Sequence, residues 1–330
     1  MTIPFSILDL SQVGEGYGVS DALNNSARMA QAAEAVGYQR YWLAEHHGMP
    51  GIASAATAIV IAHVGQATNT IRIGSGGIML PNHSPLVIAE QFGTLEALFP
   101  GRVDLGLGRA PGTDMMTARA LRRYSDTSVD SFPNDILELQ ALLAAPGEGQ
   151  RILAVPGMNT NVPIWLLGSS LYSAQLAAQL GLPYAFASHF APELLFEALA
   201  LYRHHFRPSQ VLDKPQVMVG VMGVAADSDA EAEFLYTSMQ QSFANLRRNV
   251  RKPFPVPSYD AVADFSPEET VMLSHMLRYA MVGSPETIEK QLGGFLKQTE
   301  ADELIISMPI HDIAARLKSI ELFASVRDRL

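Results

Sequence analysis

The stretch that most limits what this chain can fold into runs from Thr70 to Gly112, TIRIGSGGIMLPNHSPLVIAEQFGTLEALFPGRVDLGLGRAPG. Two short apolar runs, Ile71-Arg72-Ile73 and Val103-Asp104-Leu105-Gly106-Leu107, each close on glycines. Between them, Ile88, Phe92, Leu95 and Phe99 recur at helical spacing and share one face of a predicted helix over Leu86 to Phe99. Strand, loop, helix and strand in that order imply a right-handed crossover between parallel strands. The loops after both strands, Ser75-Gly76-Gly77 and Gly108-Arg109-Ala110, then open at the same end of the sheet. Parallel α/β folds bind ligands at that end. Three adjacent small residues let a flat ligand approach the backbone, and Arg109 offers a fixed fork of donors suited to a phosphate.

The same alternation runs through the rest of the chain. Predicted strands cover Pro4 to Leu10, Gln39 to Ala44, Pro163 to Leu167, Tyr184 to Ala187, Gln216 to Val224 and Glu303 to Ser307. A helix is predicted from an N-cap at Ser20 to a stop at Gly37, a second from Ser54 to about Gln66, and Pro192 opens a later one. Eight strands alternating with helices close a (β/α)8 TIM barrel, an architecture that suits 330 residues, whereas an open doubly wound sheet stops at about five or six strands. The expectation is one barrel domain over residues 1–330, with insertions at about 113–161 and 229–285 on its C-terminal face.

Composition narrows the partners. With 23 basic against 33 acidic residues the net charge is −10, which disfavours nucleic acid and anionic membrane. The absence of cysteine excludes disulfides, a thiolate nucleophile and Cys-ligated metal sites, and fits a reducing cytosol. The N-terminus carries no basic region before its apolar run, and no stretch reaches the roughly 20 apolar residues that span a bilayer. These features predict a cytoplasmic protein.

At the carboxyl ends of strands two to six stand Glu45-His46-His47, Ser75-Gly76-Gly77, Gly108-Arg109, Gly168-Ser169-Ser170 and Ser188-His189. On their own Ser170 and Ser173 read as helix-cap residues; with Arg109 one barrel step away, Ser169 to Ser173 at a predicted helix start make a candidate phosphate site. His46 and His47 point in different directions from a strand end, so one can face the pocket while the other packs, and a structural pair is an open alternative. His189 is open to either reading. No metal site is expected, since there is no HExxH, no cysteine and no His-x-His after the first strand. His204-His205 and the basic link Arg247 to Lys252 read as solvated. Gly106 to Gly112 follows a strand but is not GxGxxG, and no acidic residue ends a strand about 20 residues on, so it is a poor dinucleotide signal.

Four motifs, in order, resemble those of the luciferase-like, flavin-dependent monooxygenases of bacteria. They are Ala44-Glu45-His46-His47; Ile73 to Pro81 with His83 and Pro85; Gly101 to Arg109; and Ser169-Ser170-Leu171-Tyr172-Ser173 followed by Ala177 to Pro183. The resemblance covers most of the chain and is nearest to a bacterial subgroup with unassigned substrates. It implies a barrel that binds reduced FMN (FMNH2) delivered by a separate NAD(P)H-dependent flavin reductase. O2 would add at the flavin C4a position, and the peroxyflavin would oxidise a small organic substrate. By position, Arg109, Ser169, Ser170 and Ser173, with the backbone N–H groups of Leu171 and Tyr172, would hold the phosphate. Ser75, Gly76 and Gly77 would line the isoalloxazine, where the family often has a non-proline cis peptide. His46 would be the catalytic acid/base, and Glu45 would support the ring through its backbone. A homodimer is implied as well. Ser169 stands where the luciferase chain has an acidic residue, and that chain's extra phosphate-side arginine has no counterpart. The rival readings are F420-dependent hydride transfer, a non-catalytic flavin-binding protein and an NADP dehydrogenase.

Overall fold

The computed structural model describes residues 3–110, 112–113, 115–121 and 131–330; Pro111, within the glycine-rich run after the fourth strand, lies outside them. In chain order the described elements are β1 (Phe5–Asp9), α1 (Val19–Ala35), β2 (Arg40–Leu43), α2 (Thr57–Ala67), β3 (Arg72–Met79), a short 3-10 turn (Leu80–Asn82), α3 (Pro85–Leu98), β4 (Val103–Gly108), α4 (Met115–Leu121), α5 (Phe132–Leu143), β5 (Ile164–Gly168), α6 (Leu171–Leu180), β6 (Tyr184–Phe186), α7 (Leu195–His205), β7 (Val217–Ala225), α8 (Asp229–Arg247), α9 (Tyr259–Ala263), α10 (Pro267–Met276), β8 (Met281–Gly283), α11 (Pro285–Thr299), β9 (Glu303–Ser307) and α12 (Ile313–Arg327). Strands β1 to β7 pair in sequence, all parallel, and β9 closes the ring between β7 and β1. This is the closed eight-stranded barrel expected from the alternation.

A ninth strand was not anticipated. β7 has nine residues and β9 only five, so β7 overshoots the ring. Met218 to Met222 pair with β9, while Gly223 to Ala225 pair instead with β8, which satisfies backbone groups that would otherwise be bare. Two helix starts also differ from the sequence reading. Gly18, not Ser20, caps α1, because the Asp21 carboxylate accepts the Gly18 N–H at 2.8 Å. Helix α2 begins at Thr57 because the Ser54 hydroxyl is donated to the Ala44 carbonyl instead of capping a helix. Pro192 lies before α7 rather than in its first turn, and its carbonyl accepts the Leu195 N–H.

Alternation along each strand separates two cores. Outward residues such as Ile73, Leu105, Leu107 and Val219 pack against the helices, including the predicted face of α3 at Ile88, Phe92 and Leu95. Inward residues Leu8, Trp42, Ala44, Trp165, Ala185, Met218 and Ile305 fill the barrel. Below them, at the N-terminal ends of the strands, Arg40 bridges Asp104 (2.7 Å) and Glu303 (2.9 Å), and Arg72 bridges Asp104 at 2.6 Å. Ser6 donates to Glu303, Trp42 Nε1 donates to Asp104, and Arg40 lies over the Trp165 ring at 5.0 Å. Asp104 is fully buried, so two guanidinium groups satisfy a charge that could not stand alone there.

The segment after α8 returns across the other end. Phe254 exchanges backbone hydrogen bonds with Val13 and Glu15, both at 2.8 Å. Its buried ring joins Met222, Met239, Phe243 and Leu273 in a smaller cluster that ties the inserted helices to the upper end of β7.

Candidate active site at the carboxyl end of the barrel

Inward positions near the carboxyl ends of the strands are small: Ala44, Gly76, Gly108 and Gly220. A Cβ on Gly76 would sit 2.6 Å from Leu8 Cδ1, which would have to turn aside, and one on Gly77 would sit 2.7 Å from the Gly106 carbonyl oxygen, where no larger residue fits without displacing β4. The pairing of β3 with β4 shifts register between Ser75 and Ile78, and the Gly76-Gly77 peptide is cis, as the family resemblance implied. Ser75 is fully buried and donates its hydroxyl to the Gly106 carbonyl at 2.8 Å, so it braces this loop.

Glu45 holds the loops after β2 and β3 together through its side chain. Only 1% exposed, its carboxylate meets Nε2 of His47 at 2.7 Å and Nε2 of His83 at 2.8 Å, and accepts the Met79 N–H at 2.8 Å. Burial works against the charge, but the hydrogen bond and charge of His83, then the bonds from His47 and Met79, outweigh it and hold the carboxyl below its usual range. His47 is therefore the member of the histidine pair that packs, and Thr113 donates to its carbonyl. The sequence reading gave Glu45 only a backbone role and left His83 without one. A carboxylate two residues from one histidine, with a second histidine in the next strand's loop, was the available signal.

His46, between them, is left open. Its Nδ1 is buried with no hydrogen-bond partner, and so is Nδ1 of His189. Burial lowers the pKa of His46; the Glu45 charge offsets this in part, and His47 adds to the lowering. Burial first, and the neighbouring His46 second, push His189 down to about 4. Both rings are neutral at pH 7.

Arg109 and the start of α6 come together as expected from their places after β4 and β5. The Arg109 guanidinium lies 4.2 Å from the centre of the Tyr172 ring. Ser170 caps α6 with its Oγ accepting the Ser173 N–H at 3.4 Å. Ser173 is turned inward, with its hydroxyl donated to the Ser170 carbonyl at 2.8 Å and 3.1 Å from the Tyr184 hydroxyl. Ser169 and Leu171 are half-buried beside it. The N–H groups of Leu171 and Tyr172 lie in the first turn, where no intrahelical acceptor exists, and the helix dipole adds positive potential. A cation, a capped helix start and a hydroxyl make a donor set suited to a phosphate. A cavity of about 230 Å³ is lined by His47, Gly48, Met49 and Thr113 and by Leu246 and Val250. Among the described residues no cluster of histidines and carboxylates has the make-up of a metal site, and no helix is long and apolar enough to cross a membrane.

The fold is a (β/α)8 barrel with its candidate site at the carboxyl ends of the strands, and the sequence comparisons make the class specific: residues 3–303 match the family model for luciferase-like monooxygenases, so the chain belongs to that family. It is 51% identical over 329 residues to a luciferase-like monooxygenase of Escherichia coli K12, covering 100% of this chain and 98% of the relative. The crystal structure of apo-MsnO8 superimposes with a TM-score of 0.92 at 35% identity, covering 99% of this chain and 98% of that one. More distant barrels share the fold at 16% identity. They include a type II Baeyer–Villiger monooxygenase component in complex with FMN (TM-score 0.71, 98% and 97% covered) and an F420-dependent secondary alcohol dehydrogenase (TM-score 0.70, 99% and 98% covered).

Proposed function

We propose that this protein is the oxygenating component of a two-component monooxygenase, taking reduced FMN from a separate NAD(P)H-dependent flavin reductase and using O2 to oxidise a small organic substrate. The observation that carries the reading is Arg109 stacked on Tyr172 at the first turn of α6, beside a barrel mouth lined by Ala44, Gly76, Gly108 and Gly220. When bound, reduced FMN supplies the electrons that activate O2.

In this reading Arg109, the Ser170 hydroxyl and the Leu171 and Tyr172 N–H groups bind the phosphate, with Ser169 and Ser173 shaping the helix start. Gly76 and Gly77 admit the ring system against β3, and Ser75 fixes their loop. Glu45, clamped by His47, His83 and Met79, keeps the loop carrying His46 from moving. His46, neutral and with Nδ1 unpartnered, has a nitrogen free to take and return a proton. The cavity next to His47 receives the organic substrate, and the cluster around Phe254 shields the site from water. A homodimer accords with the same family reading.

Anaerobic titration with reduced FMN, followed by oxygen-uptake measurement on admitting air, tests the proposal. Micromolar or tighter binding with oxygen uptake supports it. Binding of F420 in place of FMN replaces it with hydride transfer, and flavin binding without oxygen uptake replaces it with a carrier.

A further inference from the structure

His189 occupies a place that the rest of the barrel has been shaped to give it. The Ser188 hydroxyl donates to the Gly220 carbonyl at 2.6 Å and ties the loop after β6 to the middle of β7. His189 then lies directly over Gly220: a Cβ at that position would be 2.5 Å from His189 Nδ1. Gly220 is inward-facing, in line with Met218 and Met222 on β7, so the missing side chain is the space into which the imidazole folds. Phe190 supports the ring edge-on at 4.9 Å.

Strands β2 and β6 are four apart in a ring of eight, so they face each other across the barrel axis. His46 follows the first and His189 the second, so the two stand on opposite walls of the barrel mouth, and the charge of His46 bears on His189. Each has a buried Nδ1 with no partner. An unsatisfied buried nitrogen carries a free-energy cost that a polar ligand atom placed against it removes. A neutral imidazole offers one donor and one acceptor, and two of them facing inward match the alternating N–H and C=O groups along the edge of a flavin ring.

We propose that His189 is a cofactor-contacting residue, which with His46 grips the polar edge of the flavin ring from across the barrel mouth. The inference rests on the flavin reading above and adds to it a residue on the wall opposite His46.

The test compares binding of reduced riboflavin and reduced FMN, by anaerobic equilibrium dialysis, to the wild-type protein and to His189→Ala, His189→Phe, His189→Asn and Arg109→Ala. His189→Ala should weaken riboflavin and FMN alike, by about tenfold, the equivalent of one hydrogen bond. Arg109→Ala should weaken FMN alone. His189→Phe, which keeps a ring over Gly220, should bind as poorly as His189→Ala, whereas His189→Asn, with an amide near the Nδ1 position, should recover part of the loss. Riboflavin affinity unchanged in His189→Ala, or restored by His189→Phe, overturns the proposal while leaving the flavin reading intact. A wild-type protein that binds neither flavin overturns both.

Discussion

Replacing Glu45 by glutamine tests the clamp beneath the proposed catalytic loop. The carboxylate receives three short hydrogen bonds, two from imidazoles at Oε1 and one from the Met79 N–H at Oε2. An amide has one acceptor oxygen. If that oxygen stays with the imidazoles, the NH2 group meets the Met79 N–H donor to donor in a buried site, which costs about 1–3 kcal/mol. The two histidine bonds also lose their charge-assisted part, so the expected loss is about 3 kcal/mol in all. For a chain of 330 residues this lowers Tm by about 4 °C. The deficit should also depend on pH in a fixed direction. Because the folded carboxyl lies below its ordinary value of 4.5, its stabilisation is complete above that pH and fades as the pH falls past it. Calorimetry of both proteins from pH 7 downward should therefore show a gap that narrows in acid. A gap under about 1 °C at pH 7, or one that widens as the pH drops, would refute the account of Glu45 as a charged tether.

Other expectations follow from the same geometry. Arg109→Ala should weaken FMN by about 2 kcal/mol, some thirtyfold, with Arg109→Lys intermediate because it keeps the charge and loses the fork; equilibrium dialysis against FMN would measure both. His46→Ala should abolish oxygen uptake even at saturating reduced FMN while weakening flavin only about tenfold, the equivalent of one hydrogen bond, and uptake near the wild-type rate would exclude His46 as the proton-handling group. Burial holds His189 at about 4 against an ordinary 6.5, so the stability due to its neutral ring is complete above pH 6.5 and drains away as the pH falls to about 4. Denaturant titrations should find His189→Asn less sensitive than wild type across that window. Gly220→Val, whose Cβ meets the His189 ring and lies 3.3 Å from the Phe186 carbonyl oxygen, should lower stability by about 1–3 kcal/mol, read from the same titrations.

The barrel was legible because its signals are local. Apolar runs, glycines at strand ends and the helical spacing at Ile88, Phe92 and Leu95 each need only neighbours in sequence to be read. β8 was missed because three residues, Met281 to Gly283, carry no periodicity, and only the excess length of β7 gives them a partner. At the site, Arg109 and the start of α6 could be paired because adjacent barrel strands bring their loops together. The roles of His83 and His189 could not be read this way. One depends on a carboxylate reached across two loops, the other on a glycine in the next strand and a histidine on the far wall, and none of these distances has a signature along the chain.

The buried charges of Arg40, Arg72, Asp104 and Glu303 have a consequence for traffic. They and the tryptophans above them stop the axis of the barrel at one end, so the interior is a well rather than a passage. Everything that reaches the ring of small residues must arrive and leave by the same opening. On the proposed function, a flavin seated at the bottom has to be in place before the organic substrate can sit over it, and the substrate's product must depart before the flavin can. On that reading, the salt bridges that look purely architectural impose last in, first out on flavin and substrate.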